Sequence, residues 1–267
     1  MPSSPIRVET LHRYPVKGFT PEACQSLTIL PDGRTAGDRV LGFRFADCPA
    51  ADDAWSTKHE FVALVNTPGL ARIGLHYDHD RARLRMTLDG VVLAEAGLDD
   101  DGRRTLARAI EDFVLAQAVN PLGDHPARRP LRLVGDGRTP RFQDNADGHT
   151  TLHALASVAA FARHAGVEHV DPLRFRANIA VDGLDAWAEH GWMGRRIRIG
   201  KLEFDVVKLK TRCLATHANP RTGERDLDVM PLLMRAHPGH ERATLGIGLR
   251  VVGAGGVIRV GDAVVPL

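Results

Sequence analysis

Cysteine is scarce in this sequence, and its spacing excludes several classes of site. The 267 residues include only three cysteines, Cys24, Cys48 and Cys213, with no C-x-x-C pair among them. They cannot form a zinc site by themselves or hold an iron–sulfur cluster, which takes about four ligands. Three is also a poor number for a disulfide framework. The cysteine content therefore favours a reducing compartment, and we predict a cytoplasmic protein.

Long apolar runs are missing as well. No stretch approaches the roughly 20 apolar residues that a membrane-spanning helix requires. Residues 1–8 contain no basic region followed by an apolar run, so the sequence predicts no signal peptide. We therefore expect no membrane association.

Lysine is rare, because five of the 35 basic residues are lysine and thirty are arginine. Such a bias could indicate a nucleic-acid surface, but the arginines are interleaved with 33 acidic residues and the net charge is only +2. We predict no nucleic-acid partner. The sequence also contains no Gly-x-Ser-x-Gly motif, no P-loop and no dinucleotide fingerprint.

Short apolar runs separated by glycine, proline and aspartate predict many strands and few helices. The predicted strands are residues 6–16, 27–30, 40–46, 61–65, 71–76, 83–88, 91–94, 131–134, 178–181, 196–199, 202–209, 214–217, 246–252, 257–260 and 263–265. The predicted helices are residues 105–117, with Thr105 as N-cap, 155–164 and 231–236. Since no β-α-β alternation is present, the pattern predicts a mainly β fold with some α, of the barrel type.

A cluster of prolines and turn residues at positions 120–130 is the best candidate for a domain boundary. We predict an N-terminal β-barrel-like unit over residues 5–125 and a second β-barrel domain over residues 126–267.

Residues 209–223, which read LKTRCLATHANPRTG, contain the cysteine with the most suggestive surroundings. Cys213 follows a predicted strand, and the charges of Arg212 and Lys210 would favour its thiolate. A thiolate suits a soft or high-valent metal, or a sulfur-transfer step. The alternative is a buried, inert thiol, which is our interpretation of Cys24 and Cys48.

Two short motifs near the N-terminus could bind an anion. Lys17 follows the first predicted strand, and Gly18 would let a backbone N–H approach a ligand closely. Arg39 precedes an apolar strand, so that it could point into a cleft with Asp38 holding it. The alternatives are a solvated lysine and a surface ion pair.

A third cluster is the segment Arg174-Phe175-Arg176-Ala177-Asn178. We predict that it is extended, which would place Arg174, Arg176 and Asn178 on one side of the chain. The two guanidinium groups could then bind an anion through forked hydrogen bonds.

The order of these motifs resembles the MOSC superfamily, the molybdenum cofactor sulfurase C-terminal domain proteins. The likeness is greatest to the two-part members, which carry an N-terminal MOSC β-barrel unit before the MOSC domain and include the amidoxime-reducing components. It extends over nearly the whole chain. The motifs are Tyr14-Pro15-Val16-Lys17, Gly37-Asp38-Arg39, Arg174-Phe175-Arg176-Ala177-Asn178, Thr211-Arg212-Cys213 and Gly261-Asp262.

The resemblance implies a molybdenum–pyranopterin cofactor bound between the two units, with Cys213 as the catalytic molybdenum ligand. The residues that it implies as cofactor contacts are Lys17, Gly18, Arg39, Arg176, Asn178, Thr211 and Arg212. Pyridoxal phosphate binding is also associated with the family. Three positions depart from the family pattern, since Ala177 replaces a proline, Gly18 replaces a serine of many relatives and Ala154 replaces a hydroxyl residue.

The activity implied by the resemblance is the reduction of N-oxygenated small molecules such as amidoximes. Because no C-terminal iron–sulfur domain is visible, we expect a separate electron-donor protein, either a reductase or an iron–sulfur protein. One alternative is a cofactor carrier or sulfur relay that works through a Cys213 persulfide without turnover. Another is a metal-free binding module for a different phosphate ligand.

Overall fold

The computed structural model describes residues 5–237 and 239–267, and within them the chain is mostly sheet with three α-helices. This confirms the predicted fold class. Half of the segment in which no signal peptide was predicted, residues 1–4, lies outside the described residues. The strands are β1 Arg7–Arg13, β2 Glu22–Cys24, β3 Ser26–Ile29, β4 Gly42–Arg44, β5 Ile73–Asp78, β6 Arg83–Leu88, β7 Val91–Gly97, β8 Arg132–Val134, β9 Thr150–Ala154, β10 Ile179–Asp182, β11 Arg196–Ile199, β12 Leu202–Thr211, β13 Thr244–Val252, β14 Gly256–Arg259 and β15 Val264–Pro266. The helices are α1 Asp100–Leu115, α2 Leu155–Ala165 and α3 Val229–Ala236.

Eight strands form one large mixed sheet in the order β15-β11-β12-β13-β9-β10-β1-β2. The pair β9–β10 is parallel and the other pairs are antiparallel. The sheet closes because Val8 N–H donates to Asp262 O at 2.9 Å and Val264 N–H donates to Ile6 O at 2.9 Å. These bonds join β1 to the chain beside β15. Seven strands therefore form a barrel, and β2 lies outside it.

Alternating apolar side chains fill the barrel, which is the pattern expected of strands with one buried face. In β11, for example, Ile197 and Ile199 are buried while Arg196 and Arg198 are exposed. The barrel core also includes residues from both halves of the chain: Val8, Leu11, Leu152, Ile179, Phe204, Ile247 and Leu249.

A second core lies between the sheets β4–β8 and β5-β6-β7 and the apolar stripe of α1. Leu106, Ile110 and Val114 of the helix pack there with Phe43 and Ile73. β1 nevertheless pairs with β10, and β3 pairs with β14, so that both are joined to strands from the second half of the chain. Both predicted units therefore contribute to the barrel, and the boundary between residues 125 and 126 stays a prediction.

Three local predictions were wrong. Helix α1 begins at Asp100, not at Thr105, because the Asp99 carboxylate accepts from Gly102 N–H at 2.8 Å and caps the first turn. Residues 61–65 form a turn in which Asn66 Oδ1 accepts from Ala63 N–H at 3.0 Å. Leu214–His217 is a 3-10 helix instead of a strand.

Two turns use residue types that suit their backbone conformation. Asp89 and Gly90, between β6 and β7, both have positive φ, +50° and +85°, as a type I′ hairpin turn requires. Gly166 ends α2 in the left-handed conformation. No helix within the described part of the chain is long and apolar enough to cross a bilayer.

Candidate functional site

A cavity lies where six segments meet beside the barrel: the turn after β1, the chain before β4, residues 58–65, the β8–β9 loop, the 3-10 helix Pro172–Phe175 and the end of β12. An inner part of about 90 Å³ adjoins an outer cleft of about 950 Å³. Both are lined by Lys58, Asp144, Asn145, Lys210, Thr211, Arg212 and Cys213. The inner part is also lined by Lys17, Gly18, Arg39 and Arg176. The structure thus brings together all the predicted site residues except Asn178.

Cys213 lies at the boundary between the inner cavity and the outer cleft. It follows β12 directly, and its carbonyl accepts from Thr216 N–H at 3.0 Å and from Thr216 Oγ–H at 2.9 Å. Its thiol is free and half-buried, so a ligand can reach it. Cys24 and Cys48 do not line this site.

Two arginines flank one tyrosine at the inner wall. The guanidinium carbons of Arg39 and Arg176 lie 4.6 and 4.4 Å from the centroid of the Tyr14 ring. Each guanidinium makes hydrogen bonds to only one described residue, Arg39 to Asp38 and Arg176 to Phe19 O. Most of their donors therefore remain available to a ligand. The backbone φ of both arginines is positive, +52° and +50°, a strained conformation that proteins concentrate at functional sites.

Asp38 fixes this arrangement from behind the cavity. Its side chain accepts from Tyr14 N–H at 2.8 Å, from Asn178 Nδ2 at 3.1 Å and from Arg39. Asn178 Oδ1 in turn accepts from the N–H and Oγ–H of Thr151 at 3.2 and 3.0 Å. The sequence predicted Asp38 as the holder of Arg39, and the structure has this contact. It places Asn178 one layer behind the cavity, where its amide orients Asp38.

Lys17 is buried at the inner end of the cavity. Its ammonium group donates to Phe142 O at 2.8 Å and to Asp144 Oδ1 at 3.2 Å. Burial lowers the pKa of Lys17, and Asp144 opposes that shift. The lysine therefore ties the β8–β9 loop to the cavity wall.

Asp144 is the lone carboxylate among the cations of the inner cavity, and sequence reasoning missed it. The surrounding protein atoms disfavour its ionisation although the side chain is exposed, but Lys17, Arg39, Arg176 and Lys210 together hold the pKa of Asp144 well below its usual range. Burial, followed by repulsion from Arg212, lowers the pKa of Lys210 to about 8. An excess of positive charge faces the cavity. Such a surface attracts anions.

Arg212 is partly a structural residue. Its guanidinium donates to Phe175 O at 2.7 Å and to Leu245 O at 2.9 Å, which connects the 3-10 segment to β13. Burial lowers the pKa of Arg212 to about 10, and the neighbouring Cys213 opposes the shift. The arginine both lines the cavity and holds the backbone that presents the thiol.

The prediction of an extended Arg174–Asn178 segment was wrong. Pro172–Phe175 is a 3-10 helix, and Asp171 caps it by accepting from Leu173 N–H at 2.9 Å. Arg174 is turned toward the protein and donates to His217 O at 3.0 Å and to Asp226. Arg176, which donates only to Phe19 O among the described residues, has more donors free for an anion than Arg174 has. The Asp171-Pro172 pair was the sequence signal for this turn.

Gly18 is required by the close approach of Ala63. Its φ is +78°, and an added Cβ would lie 2.4 Å from Ala63 Cβ and 2.6 Å from Ala63 Cα. A serine here, which the resemblance in the sequence led us to expect, would need the chain at Ala63 to move. The absent hydroxyl is thus explained by local packing.

Gly18→Ser is expected to lower the free energy of unfolding by about 1–3 kcal/mol more than Gly90→Ser, because overpacking adds to the cost of positive φ. Gly90 is the matched control, since its φ is +85° and nothing lies within 4 Å of an added Cβ. Urea unfolding of both variants measures the difference. An equal decrease in the free energy of unfolding in both variants would show that the chain at Ala63 moves aside without an energetic cost.

Comparison with known families places a MOSC domain at residues 140–265. The molybdenum cofactor sulfurases of Caenorhabditis briggsae and Caenorhabditis elegans are each 38% identical over 123 residues, which is 46% of this chain and 16% of each sulfurase. The human mitochondrial amidoxime-reducing component 1 is 28% identical over 133 residues, 48% of this chain and 39% of that protein. The match therefore spans well under half the length of these relatives.

Two solved structures have a distant likeness to the chain. The YUAD protein from Bacillus subtilis aligns with a TM-score of 0.42 at 12% identity, covering 98% of this chain and 94% of that protein. YiiM from Geobacillus stearothermophilus aligns with a TM-score of 0.32 at 18% identity, covering 44% of this chain and 53% of that protein. Both are too distant to support an argument about the site.

Proposed function

Because residues 140–265 of the chain are a MOSC domain, we propose that this protein binds a molybdenum–pyranopterin cofactor and reduces N-oxygenated small molecules with it. The observation that carries the proposal is the geometry of the cavity. A free thiol, Cys213, and a set of cations line one continuous site. The relatives named for the molybdenum cofactor and for amidoxime reduction support the same interpretation.

The residues present fit such a group. Its phosphate would be matched by the free donors of Arg39 and Arg176, since guanidinium groups bind phosphate oxygens through paired hydrogen bonds. Lys210 adds a third cation, for which no side-chain partner is found among the described residues. The inner cavity of about 90 Å³ suits a group of phosphate size, and the adjoining cleft of about 950 Å³ leaves room for a larger body.

The donor set also suits the metal. Within residues 5–237 and 239–267, no three His, Cys, Asp or Glu side chains are placed to hold a metal ion. We infer that Cys213, the thiol that lines the cavity, is the protein's ligand to molybdenum, and a soft thiolate is an appropriate one. The bound cofactor would supply the two-electron chemistry.

The chain's own residues would bind the cofactor and hold it in position. Cys213 would hold the metal where the inner cavity meets the outer cleft, and Arg212 would keep the backbone of Cys213 in place through the Phe175 and Leu245 carbonyls. Asp38 would keep the Arg39 guanidinium aimed into the cavity. Breaking the substrate N–O bond consumes two electrons and two protons and releases water. We infer that a separate donor protein supplies the electrons.

A sulfur relay or cofactor carrier is the second candidate, and the accessible thiol favours it. Cys213 is half-buried and lines the open cleft, so a persulfide on it would be reachable. The relatives with the higher identity are named as sulfurases. A reduced dye with a panel of amidoximes separates the two functions. The reductase turns the panel over, whereas the relay, although loaded with molybdenum, does not.

The decisive test is the molybdenum content of the protein purified from a host that makes the cofactor. We expect about one molybdenum per chain in the parent, on the basis of one thiolate per metal. Cys213→Ala should lose most of it, and Cys24→Ala should keep it because Cys24 does not line the site. Equal molybdenum in parent and Cys213→Ala would remove Cys213 from the ligand role. A metal-free parent would refute the proposal.

A further inference from the structure

The outer cleft has an apolar wall and a basic wall that the binding of the cofactor does not explain. The apolar wall consists of Trp55, at 40% exposure, together with Met230, Pro231 and Met234 of α3. The basic wall consists of Lys58, Lys208 and Arg242. The carboxylates in the lining are Asp144 and Glu241, and Asp144 already faces the cations of the inner cavity.

Hydrogen bonds hold Trp55 and its loop in place in the apolar wall. Trp55 Nε1 donates to Gln143 O at 2.9 Å, which fixes the indole over the cleft. The loop that carries Trp55 is held by the buried Arg44, whose guanidinium donates to Ala51 O at 2.6 Å and to Ala54 O at 2.7 Å. An aromatic surface that is fixed before binding loses little conformational entropy when a flat ligand stacks on it.

The part of the apolar wall that belongs to α3 is held in place by His217. His217 Nε2 accepts from Met230 N–H at 3.2 Å, and its Nδ1 lies 3.4 Å from Asp228. This contact orders the first turn of α3, from which Met230 and Met234 face the cleft. Methionine adapts to ligands of varied shape, so this side would tolerate different apolar bodies.

The basic wall presents cations without internal partners. Lys58, Lys208 and Arg242 make no side-chain hydrogen bond or ion pair with any other residue that the structure describes. Unpaired cations beside an apolar surface are matched by a ligand that carries both an anionic group and an apolar body.

We propose that the outer cleft selects substrates that combine a flat aromatic body with a carboxylate or a similar anionic group. This inference rests on the proposed function, in that the substrate's N–O group must reach Cys213 at the inner end of the cleft. Trp55 and the methionines would bind the aromatic body, and Lys208 and Arg242 would bind the anionic group.

The test compares two ligands that differ only in charge, 2-naphthoate and 2-naphthamide, by titration calorimetry with the protein purified from a cofactor-competent host. We expect 2-naphthoate to bind about tenfold more tightly. The double variant Lys208→Gln/Arg242→Gln should reduce the ratio of the two dissociation constants to about twofold without changing the molybdenum content. The control Arg198→Gln/Lys201→Gln removes the same charge from exposed positions away from the cleft and should leave the ratio unchanged.

Trp55→Leu supplies an independent measurement of the apolar wall. It should weaken both ligands alike by several-fold, because it removes stacking and leaves the charges in place. Equal affinity of the parent for the two ligands would overturn the inference, and so would a ratio that survives the double variant. Neither result tests whether the protein binds molybdenum. Loss of the proposed function would appear separately, as a metal-free parent that still prefers the anionic ligand.

Discussion

Asp38→Ala is expected to lower the free energy of unfolding by about 3–5 kcal/mol, because it leaves a buried guanidinium without its counter-charge. Asp38 is 3% exposed and accepts from three donors: the Tyr14 N–H, the Asn178 amide and Arg39. After the substitution, Arg39 would face Arg176 across the Tyr14 ring and would have lost its hydrogen-bonded carboxylate, with Asp144 as the remaining negative charge near both. The loss therefore combines an unpaired charge with two unsatisfied donors.

Urea unfolding, with a check that the denaturant dependence is unchanged, measures the effect. The matched control is Asp52→Ala, which removes the exposed ion pair of Asp52 with Arg132 and should cost less than about 1 kcal/mol. Asp38→Asn should be intermediate, since the amide keeps the volume and an acceptor but loses the charge. If Asp38→Ala costs no more than Asp52→Ala, the three hydrogen bonds do not hold the site together.

The Asp38-Arg39 contact also shows what the sequence could and could not reveal. Adjacent residues of opposite charge before an apolar strand predicted a held arginine, and the structure has it. The sequence did not reveal that Asn178, 140 positions away, belongs to the same network. That contact depends on the parallel alignment of β9 and β10 beside β1, which local periodicity does not encode.

Strand predictions were correct where the alternation of apolar and polar residues and the flanking turn residues indicated the same strand bounds. Arg83–Leu88 and Arg196–Ile199 match the predicted bounds, because each alternates and ends at a turn with glycine or charged residues. The strand prediction for residues 61–65 failed because their apolar character reflects burial rather than a strand ladder. Phe61 makes a single bridge to Arg44 and Val62 N–H donates to Phe43 O at 2.9 Å, and the chain then turns at residues 64–66. An apolar run identifies burial more safely than it identifies a strand.

Parts of the site that come from loops were the hardest to predict. Asp144 and Trp55 lie in segments without periodicity, and only the fold brings them to the cleft. The sequence also did not reveal that Arg174 is engaged by Asp226 and the His217 carbonyl, because both lie more than 40 positions away in sequence. Charged residues near a site can thus serve the scaffold, and sequence alone does not separate the two roles.

Acidification is expected to destabilise the protein through His153. This residue is 2% exposed, and neither ring nitrogen has a hydrogen-bond partner among the residues that the structure describes. Its ring packs edge-on against Phe175 at 6.2 Å between centroids. Burial, with repulsion from Arg212 and His12, lowers the pKa of His153 from 6.5 to about 3.

The sign follows from proton binding in the two states. Below pH 6.5 the unfolded chain takes up a proton at His153, while the folded chain stays neutral until about pH 3. The unfolded state then binds more protons, so the free energy of unfolding falls as the pH decreases through this range. At about pH 4.5 the loss from this one residue should be about 2–3 kcal/mol, at about 1.4 kcal/mol per pH unit.

Urea unfolding at about pH 7 and about pH 4.5 should show this loss in the parent and a smaller one in His153→Leu, which has no group to protonate. The variant should therefore gain stability relative to the parent as the pH falls, whatever its stability at neutral pH. His125→Leu is the control, because His125 is exposed and its replacement should leave the pH dependence as it is. If the free energy of unfolding of His153→Leu falls with pH as steeply as that of the parent, His153 must be protonated in the folded protein over this range. Repulsion from the cations beside the cavity should prevent that protonation.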